Sequence, residues 1–268
     1  MNSIYSAFEK AKNHNEAALV GYIAAGDPDL DTSREIIFSM LSAGLDILEL
    51  GIPFSDPTAD GPVIQAAYQR SLAAGIRLSS LFDLVRDIRK EFQTPIVLFS
   101  YLNPIFHYGM EKFCMDAKKA GADGLLVVDM PMEESAELLP FMEKAGLVHI
   151  PLVAPTTSQE RAKKICENAK GFIYLISMTG ITGSAGLDVE KASRLTQRIR
   201  EISSLPVALG FGISTQEDVR RLSPVTDGIV IGSAFVRAIE ESVDKKDAAK
   251  KLYDMTRKFK AACQRKEL

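Results

Sequence analysis

Short runs of β-branched and other apolar residues recur along the whole chain: ALVGYIAA, LDILELGI, PIVLFSY, GLLVVD, VHIPLVA, FIYLIS, PVALGF and GIVIGS. Each reads as one strand, and amphipathic stretches lie between them. Thr32 with Glu35, Thr157 with Glu160 and Ser214 with Glu217 have capping-box spacing and predict helix beginnings there. Gly44, Gly121, Gly146 and Gly171 predict helix ends, because the left-handed residue that closes a helix suits glycine. Three of these glycines recur at intervals of 25 residues, the length of a strand, a helix and two short loops.

Parallel neighbours need helical crossovers, so this alternation predicts a parallel sheet. Eight strand-helix units in one chain favour a closed (β/α)8 TIM barrel over a doubly wound open sheet. Two segments fall outside the repeat. SIYSAFEKAKN places Ile4, Phe8 and Ala11 on one side and predicts a helix that plugs the barrel bottom. DAAKKLYDMTRKFKAAC places Ala248, Leu252, Met255 and Phe259 together and predicts a C-terminal helix with a solvated basic face. No linker-like stretch divides the chain, so one domain over residues 1–268 is expected.

Composition narrows the function classes. The 268 residues are 46% hydrophobic and 25% charged with a net charge of −3, which lacks the basic excess of nucleic-acid binders. No apolar run approaches the about 20 residues of a membrane span, and Met1 to Val20 lacks the pattern of a signal peptide; a cytoplasmic enzyme is expected. Cys114, Cys166 and Cys263 are odd in number and far apart, which fits reduced thiols. His14, His107 and His149 are isolated, so no metal site is expected.

Candidate chemistry concentrates in LELGIPFSDPTADGP. A period of two puts Glu49 on the face opposite Leu48 and Leu50, which in a barrel is the interior. A carboxyl there is desolvated and its pKa rises, which suits a general acid or base near neutral pH; the alternative is a structural acid paired with a buried cation. Turn chemistry at SDP and ADGP accounts for Asp56, and it leaves Asp60 evenly between a turn role and a substrate contact. Glycines in GFG, with Gly210 and Gly212, and in GS, with Gly232 and Ser233, each precede a helix signal and suit an anion site, or else simply tight turns. The loop SMTGITGSAGL, with Gly180, Gly183 and Gly186, reads as a lid or as a plain surface loop.

LELGIPFSDPTADGP, GYIAAGDPD, SYLNPIFHYG, VVDMPMEE, LVAPTT, TGITG, GFGIS and IGSAFV stand in the order and spacing of the tryptophan synthase α subunit family, which the chain resembles throughout. The resemblance implies a (β/α)8 barrel that cleaves indole-3-glycerol phosphate by retro-aldol chemistry and uses no cofactor of its own. It also implies a pyridoxal phosphate β subunit as partner in an αββα heterotetramer, with indole passing by tunnel. Carried over, the catalytic acid-base is Glu49 and the aspartate holding the indole N–H is Asp60. Phosphate contacts fall on Gly183, Gly212, Gly232 and Ser233, and pocket positions on Tyr22, Phe99, Leu126, Tyr174, Thr182, Phe211 and Ile231. Partner contacts fall on Pro53, Asp56, Asn103, Asp129 and Pro131, which turns Asp56 from a turn residue into an interface residue. Tyr22, Thr58 and Met178 depart from the family's usual phenylalanine, aliphatic and arginine. Competing readings are another phosphate-binding barrel enzyme and a subunit that acts mainly as an allosteric partner.

Overall fold

The computed structural model describes residues 3–167, 169–176, 188–210 and 212–265. Its strands are β1 (Ala18–Ala24), β2 (Ile47–Gly51), β3 (Ile96–Ser100), β4 (Gly124–Val127), β5 (Val148–His149), β6 (Leu152–Val153), β7 (Ile173–Ile176), β8 (Val207–Gly210) and β9 (Gly228–Ile231). They pair in the order β5-β4-β3-β2-β1-β9-β8-β7-β6, all parallel. The two ends of that order belong to one sequence run, VHIPLVA, which the pattern presents as a single strand. Pro151 has no N–H to give to a ladder, so the run divides there. Ile150 N–H donates to Leu125 on β4, and Pro151 C=O accepts from Tyr174 on β7. One run therefore pairs to both sides and closes the sheet, and the fold is a (β/α)8 barrel.

Two apolar layers follow from the alternation of side chains across each strand. Val20, Tyr22, Ile47, Phe99, Leu126 and Val230 belong to the inner cluster. Leu48, Leu50, Leu98, Leu125, Leu209 and Ile229 belong to the outer one, under the helices. The helix Ser3–Asn13 buries Ile4, Phe8 and Ala11 within the inner cluster, as its pattern implies. Phe8 packs on Phe172 with centroids 5.2 Å apart, and a β-carbon on Gly228 would fall 2.7 Å from the Phe8 ring. Glycine at the foot of β9 is what lets the plug seat.

At the same end, three aspartates each stand just before a strand. Asp46 accepts from Leu19 N–H at 2.7 Å, Asp123 from Ile96 N–H at 2.9 Å and Asp227 from Val207 N–H at 3.0 Å. Each also donates its own N–H to the C=O of the residue it clamps. Cations meet these carboxylates: Lys260 at Asp46, Arg89 at Asp123 and Arg200 at Asp227. The clamps fix the register of β1 with β2, β3 with β4, and β8 with β9 where each strand begins.

Element boundaries differ from the capping pattern. Helix Leu30–Ser42 is capped by Asp29, with Thr32 inside it as the donor. Ser158 rather than Thr157 accepts from the first turn of Gln159–Glu167. A capping box does start Gln216–Leu222, made by Thr215 and Asp218 rather than Ser214 and Glu217. The connections after β2 and β3 each carry two helices, Pro62–Ala73 with Leu78–Glu91 and Leu102–Tyr108 with Met110–Ala120. Pro62, the end of the acidic loop, is thus the first residue of a helix, where its missing N–H is no loss. The C-terminal helix Lys245–Ala262 buries Ala248, Leu252 and Phe259 as expected, while Met255 is only partly buried.

Phe8→Ala should lower unfolding free energy by about 3 to 5 kcal/mol in urea titration, because the closed bottom cannot collapse into the cavity. A loss below about 1 kcal/mol would show that the helix is not an essential plug.

Candidate active site

Glu49 stands at the centre of β2, in register with Tyr22 on β1 and Val97 on β3. Its side chain points to the interior while Leu48 and Leu50 pack outside. Only 1% of Glu49 is exposed, and its Oε1 is buried with no hydrogen-bond partner. Burial without a counterion, and then the nearby Asp60, push its pKa up to about 8.

Asp60 lies in the loop after β2 and is half-buried. The Tyr101 hydroxyl donates to Asp60 Oδ2 at 2.7 Å and accepts from the Ala59 N–H at 3.0 Å. Gln65, from the helix that follows, donates to the Asp60 C=O at 2.8 Å. Burial raises the Asp60 carboxyl to about 6, against the opposite pull of the Tyr101 hydrogen bond. Near neutral pH the two acids are therefore in different states: Glu49 mostly protonated and Asp60 mostly ionised.

The wall around them is aromatic and aliphatic. Tyr22, Phe99, Leu126 and Tyr174 all lie in the inner cluster, and Tyr22 meets Phe99 edge-on at 5.3 Å. Burial, then Glu49 and Asp60, raise the Tyr174 pKa, which ties that side chain electrostatically to both acids. The Tyr22 hydroxyl donates to the Tyr68 hydroxyl at 2.8 Å, from β1 to the helix Pro62–Ala73. Ile231 does not join this wall. It packs in the outer cluster, and the inward apolar residue of β9 is Val230.

Beside the aromatic wall is a place for an anion. Gly232 caps helix Ser233–Glu240 without any side-chain cap, so the first-turn N–H groups have no internal acceptor. A β-carbon on Gly232 would lie 3.6 Å from Tyr22, which puts this helix start next to the aromatic wall around the two acids. Ser233 is exposed at the first helical position, and Gly212 after β8 has a left-handed φ of 78°. The positive end of the helix dipole and the unpaired N–H groups favour a phosphate there. Thr182, Gly183 and Phe211, with the rest of the lid reading, lie outside the described residues.

The remaining predicted positions gather on the rim. Pro53 and Asp56 follow β2, Asn103 follows β3, and Asp129 and Pro131 follow β4, three neighbouring strands. Asp56, Asn103, Asp129 and Pro131 are exposed and Pro53 is half-buried. Asp129 accepts from Leu102 N–H at 2.7 Å, which links two of these loops. Asp56 is still part of a turn, its C=O accepting from Thr58 N–H at 2.9 Å.

Sequence reasoning missed Tyr101 and Tyr68. A tyrosine at the C-terminal end of an apolar run was the available signal for Tyr101; Tyr68 had none beyond its place two turns into a helix. Among the described residues no group of three or more His, Cys, Asp or Glu is placed to hold a metal ion, and no helix is long and apolar enough to cross a membrane.

The family model described as tryptophan synthase alpha chain matches residues 8–264. The tryptophan synthase alpha chain of Desulfosudis oleivorans is 53% identical over 262 residues, spanning 98% of this chain and 99% of its own. That of Caldanaerobacter subterraneus is 47% identical over 255 residues, spanning 94% and 96%. A crystal structure of tryptophan synthase subunit alpha from Legionella pneumophila is similar with TM-score 0.90 at 37% identity, covering 98% of both chains.

A raised carboxyl pKa has a stability signature. Below pH 4.5 Glu49 is protonated in both folded and unfolded states; as pH rises towards 8 only the unfolded state ionises, so Glu49 progressively disfavours folding. Glu49→Gln lacks this penalty. Its stability relative to the parent should therefore grow between pH 5 and pH 8 by on the order of 3 to 5 kcal/mol in urea titrations. A difference that does not change with pH would mean that Glu49 is ionised in the folded protein.

Proposed function

Since the chain belongs to the tryptophan synthase alpha chain family and catalyses the α reaction, the cleavage of indole-3-glycerol phosphate to indole and glyceraldehyde 3-phosphate, we propose that Glu49 carries the proton of that reaction and Asp60 stabilises its cationic intermediate. One observation carries the assignment: a buried carboxyl oxygen without a partner on the inner face of the barrel, near a hydrogen-bonded aspartate.

The chemistry needs one proton delivered and one removed. Protonated Glu49 gives its proton to C3 of the indole, and the ring nitrogen becomes positive. Ionised Asp60, held in place by Tyr101 and Gln65, lies against that charge. The bond between C3 and the glycerol carbon then breaks, its electron pair returning to the ring. The hydroxyl on that carbon loses its proton to the Glu49 carboxylate and becomes the aldehyde, and Glu49 ends protonated as it began. Gly212, Gly232, Ser233 and Gly183 hold the phosphate; Tyr22, Phe99, Leu126, Tyr174, Thr182 and Phe211 surround the rest of the substrate. No cofactor in this chain has a part in these steps.

The partner is a tryptophan synthase β subunit, and we assign it the pyridoxal phosphate and the αββα arrangement that passes indole on. The exposed rim built by Asp56, Asn103, Asp129 and Pro131, with Pro53 behind it, is its docking face. A cytoplasmic location accords with that reading.

With indole-3-glycerol phosphate as substrate and indole release as readout, kcat/KM should follow a bell with limbs near pH 6 and pH 8, for Asp60 ionised and Glu49 protonated. Glu49→Gln should fold, bind substrate and lose about 10²- to 10⁴-fold in kcat. Asp60→Asn should abolish the acid limb. Retained turnover in Glu49→Gln would remove Glu49 from its role. Asp56→Ala should leave the isolated chain's rate within about twofold while weakening activation by added β subunit several-fold, as a rim contact does. Unchanged activation would place the docking face elsewhere.

A further inference from the structure

Glu49 and Tyr22 face the same interior from adjacent strands and are register partners. The Tyr22 hydroxyl lies over Gly51, two residues beyond Glu49 on the same face, where any β-carbon would collide with it. An O–H group on the same interior face as a carboxyl without a partner is a potential donor to it. The structure holds it elsewhere: the Tyr22 hydroxyl donates at 2.8 Å to Tyr68, which is 0% exposed.

We propose that Tyr68 is a positioning residue that captures the Tyr22 hydroxyl and so keeps the Glu49 carboxyl free to serve the indole carbon. The proposal rests on the proton-carrying role of Glu49 and adds the means by which that group is kept unengaged. A hydroxyl hydrogen rotates to whichever acceptor is in reach, and a buried hydroxyl left without one is costly. Without the Tyr68 oxygen, Glu49 Oε1, unpartnered on the register partner of Tyr22, is an acceptor for it. A hydroxyl donated to a carboxylate stabilises its ionised form, which would lower the pKa that burial raises.

The ionisable groups felt at this position, among the described residues, are few. Tyr22 on β1, Tyr68 on the helix Pro62–Ala73, Tyr174 on β7 and Asp60 in the loop after β2 all interact electrostatically with Glu49, and Tyr101 acts on it through Asp60. Asp60 is the one carboxylate of the set. Its Oδ2 accepts from Tyr101, whereas Glu49, the register partner of Tyr22, keeps an Oε1 without a partner.

The test titrates the Glu49 carboxyl itself. Protein labelled with 13C-glutamate is followed by NMR from pH 5 to pH 10 without substrate, with Glu49→Gln to assign the signal. Tyr68→Phe should lower the Glu49 midpoint by about one pH unit, a tenfold stronger acid, through the new hydrogen bond. Tyr22→Phe with Tyr68→Phe should return it to the parent value, because the released donor is gone. A midpoint unchanged in Tyr68→Phe, or a shift that persists in the double variant, overturns the proposal. Should Tyr68→Phe not fold, Tyr22→Phe alone decides: an unmoved midpoint supports the capture, and a rise of about one unit means that Tyr22 already engages Glu49. The alkaline limb of kcat/KM should move with the midpoint. If the midpoint moves and the limb does not, Tyr68 keeps its assigned part and the proton-carrying role of Glu49 falls.

Discussion

Desolvation of a carboxyl that has no counterion governs this site. A closed parallel ring has one narrow interior, and every inward position must be filled by the strands or by the plug beneath them. Below, the filling is apolar: Ile4, Phe8, Phe172 and Ala18. Above, it includes Glu49, whose buried oxygen has no partner. The aromatic wall, the closed seam at Ile150 and Pro151, and the seated plug all serve to keep that carboxyl dry. The raised proton affinity of Glu49 is a product of the barrel as a whole.

The two ends of the barrel treat acids in opposite ways. At the N-terminal end Asp46, Asp123 and Asp227 each accept a backbone N–H from the neighbouring strand and meet a Lys or Arg. These acids are tied into register and charge pairs. At the C-terminal end Glu49 and Asp60 receive no cation among the described residues; the Asp60 carboxylate meets the Tyr101 hydroxyl instead. Stability is secured at one mouth, so the other can hold groups in the less comfortable states that chemistry needs.

What the sequence disclosed follows this division. Glu49 was legible because it is a polar residue inside an apolar run, and one such residue reveals which face of a strand is which. In GIVI both faces are buried and the period of two carries no contrast, so nothing in the pattern checks the resemblance, which points to Ile231 for the interior position that Val230 occupies. Glycines that end helices were readable at Gly121 and Gly146, where left-handed backbone demands them. Helix starts were less so, since Asp29, Ser158 and Thr215 compete with neighbours of the same chemistry. Tyr101 and Tyr68 were hidden for another reason. Their partners Asp60 and Tyr22 lie 41 and 46 positions away, and only the closed ring with its extra helix brings them together.

The protonation state of the Glu49 carboxyl has an effect beyond its proposed part in proton transfer. Were it ionised with Asp60, the cavity would present two negative charges to a substrate that itself bears a phosphate, with little water to screen the repulsion. Held neutral, it leaves one negative charge, on the loop side, while the uncapped start of helix Ser233–Glu240 offers a positive potential across the cavity beside Tyr22. On the proposed assignment the molecule thereby sorts the two ends of its ligand by charge as they enter, phosphate towards the helix and ring nitrogen towards Asp60, and orientation is settled before any bond is made or broken.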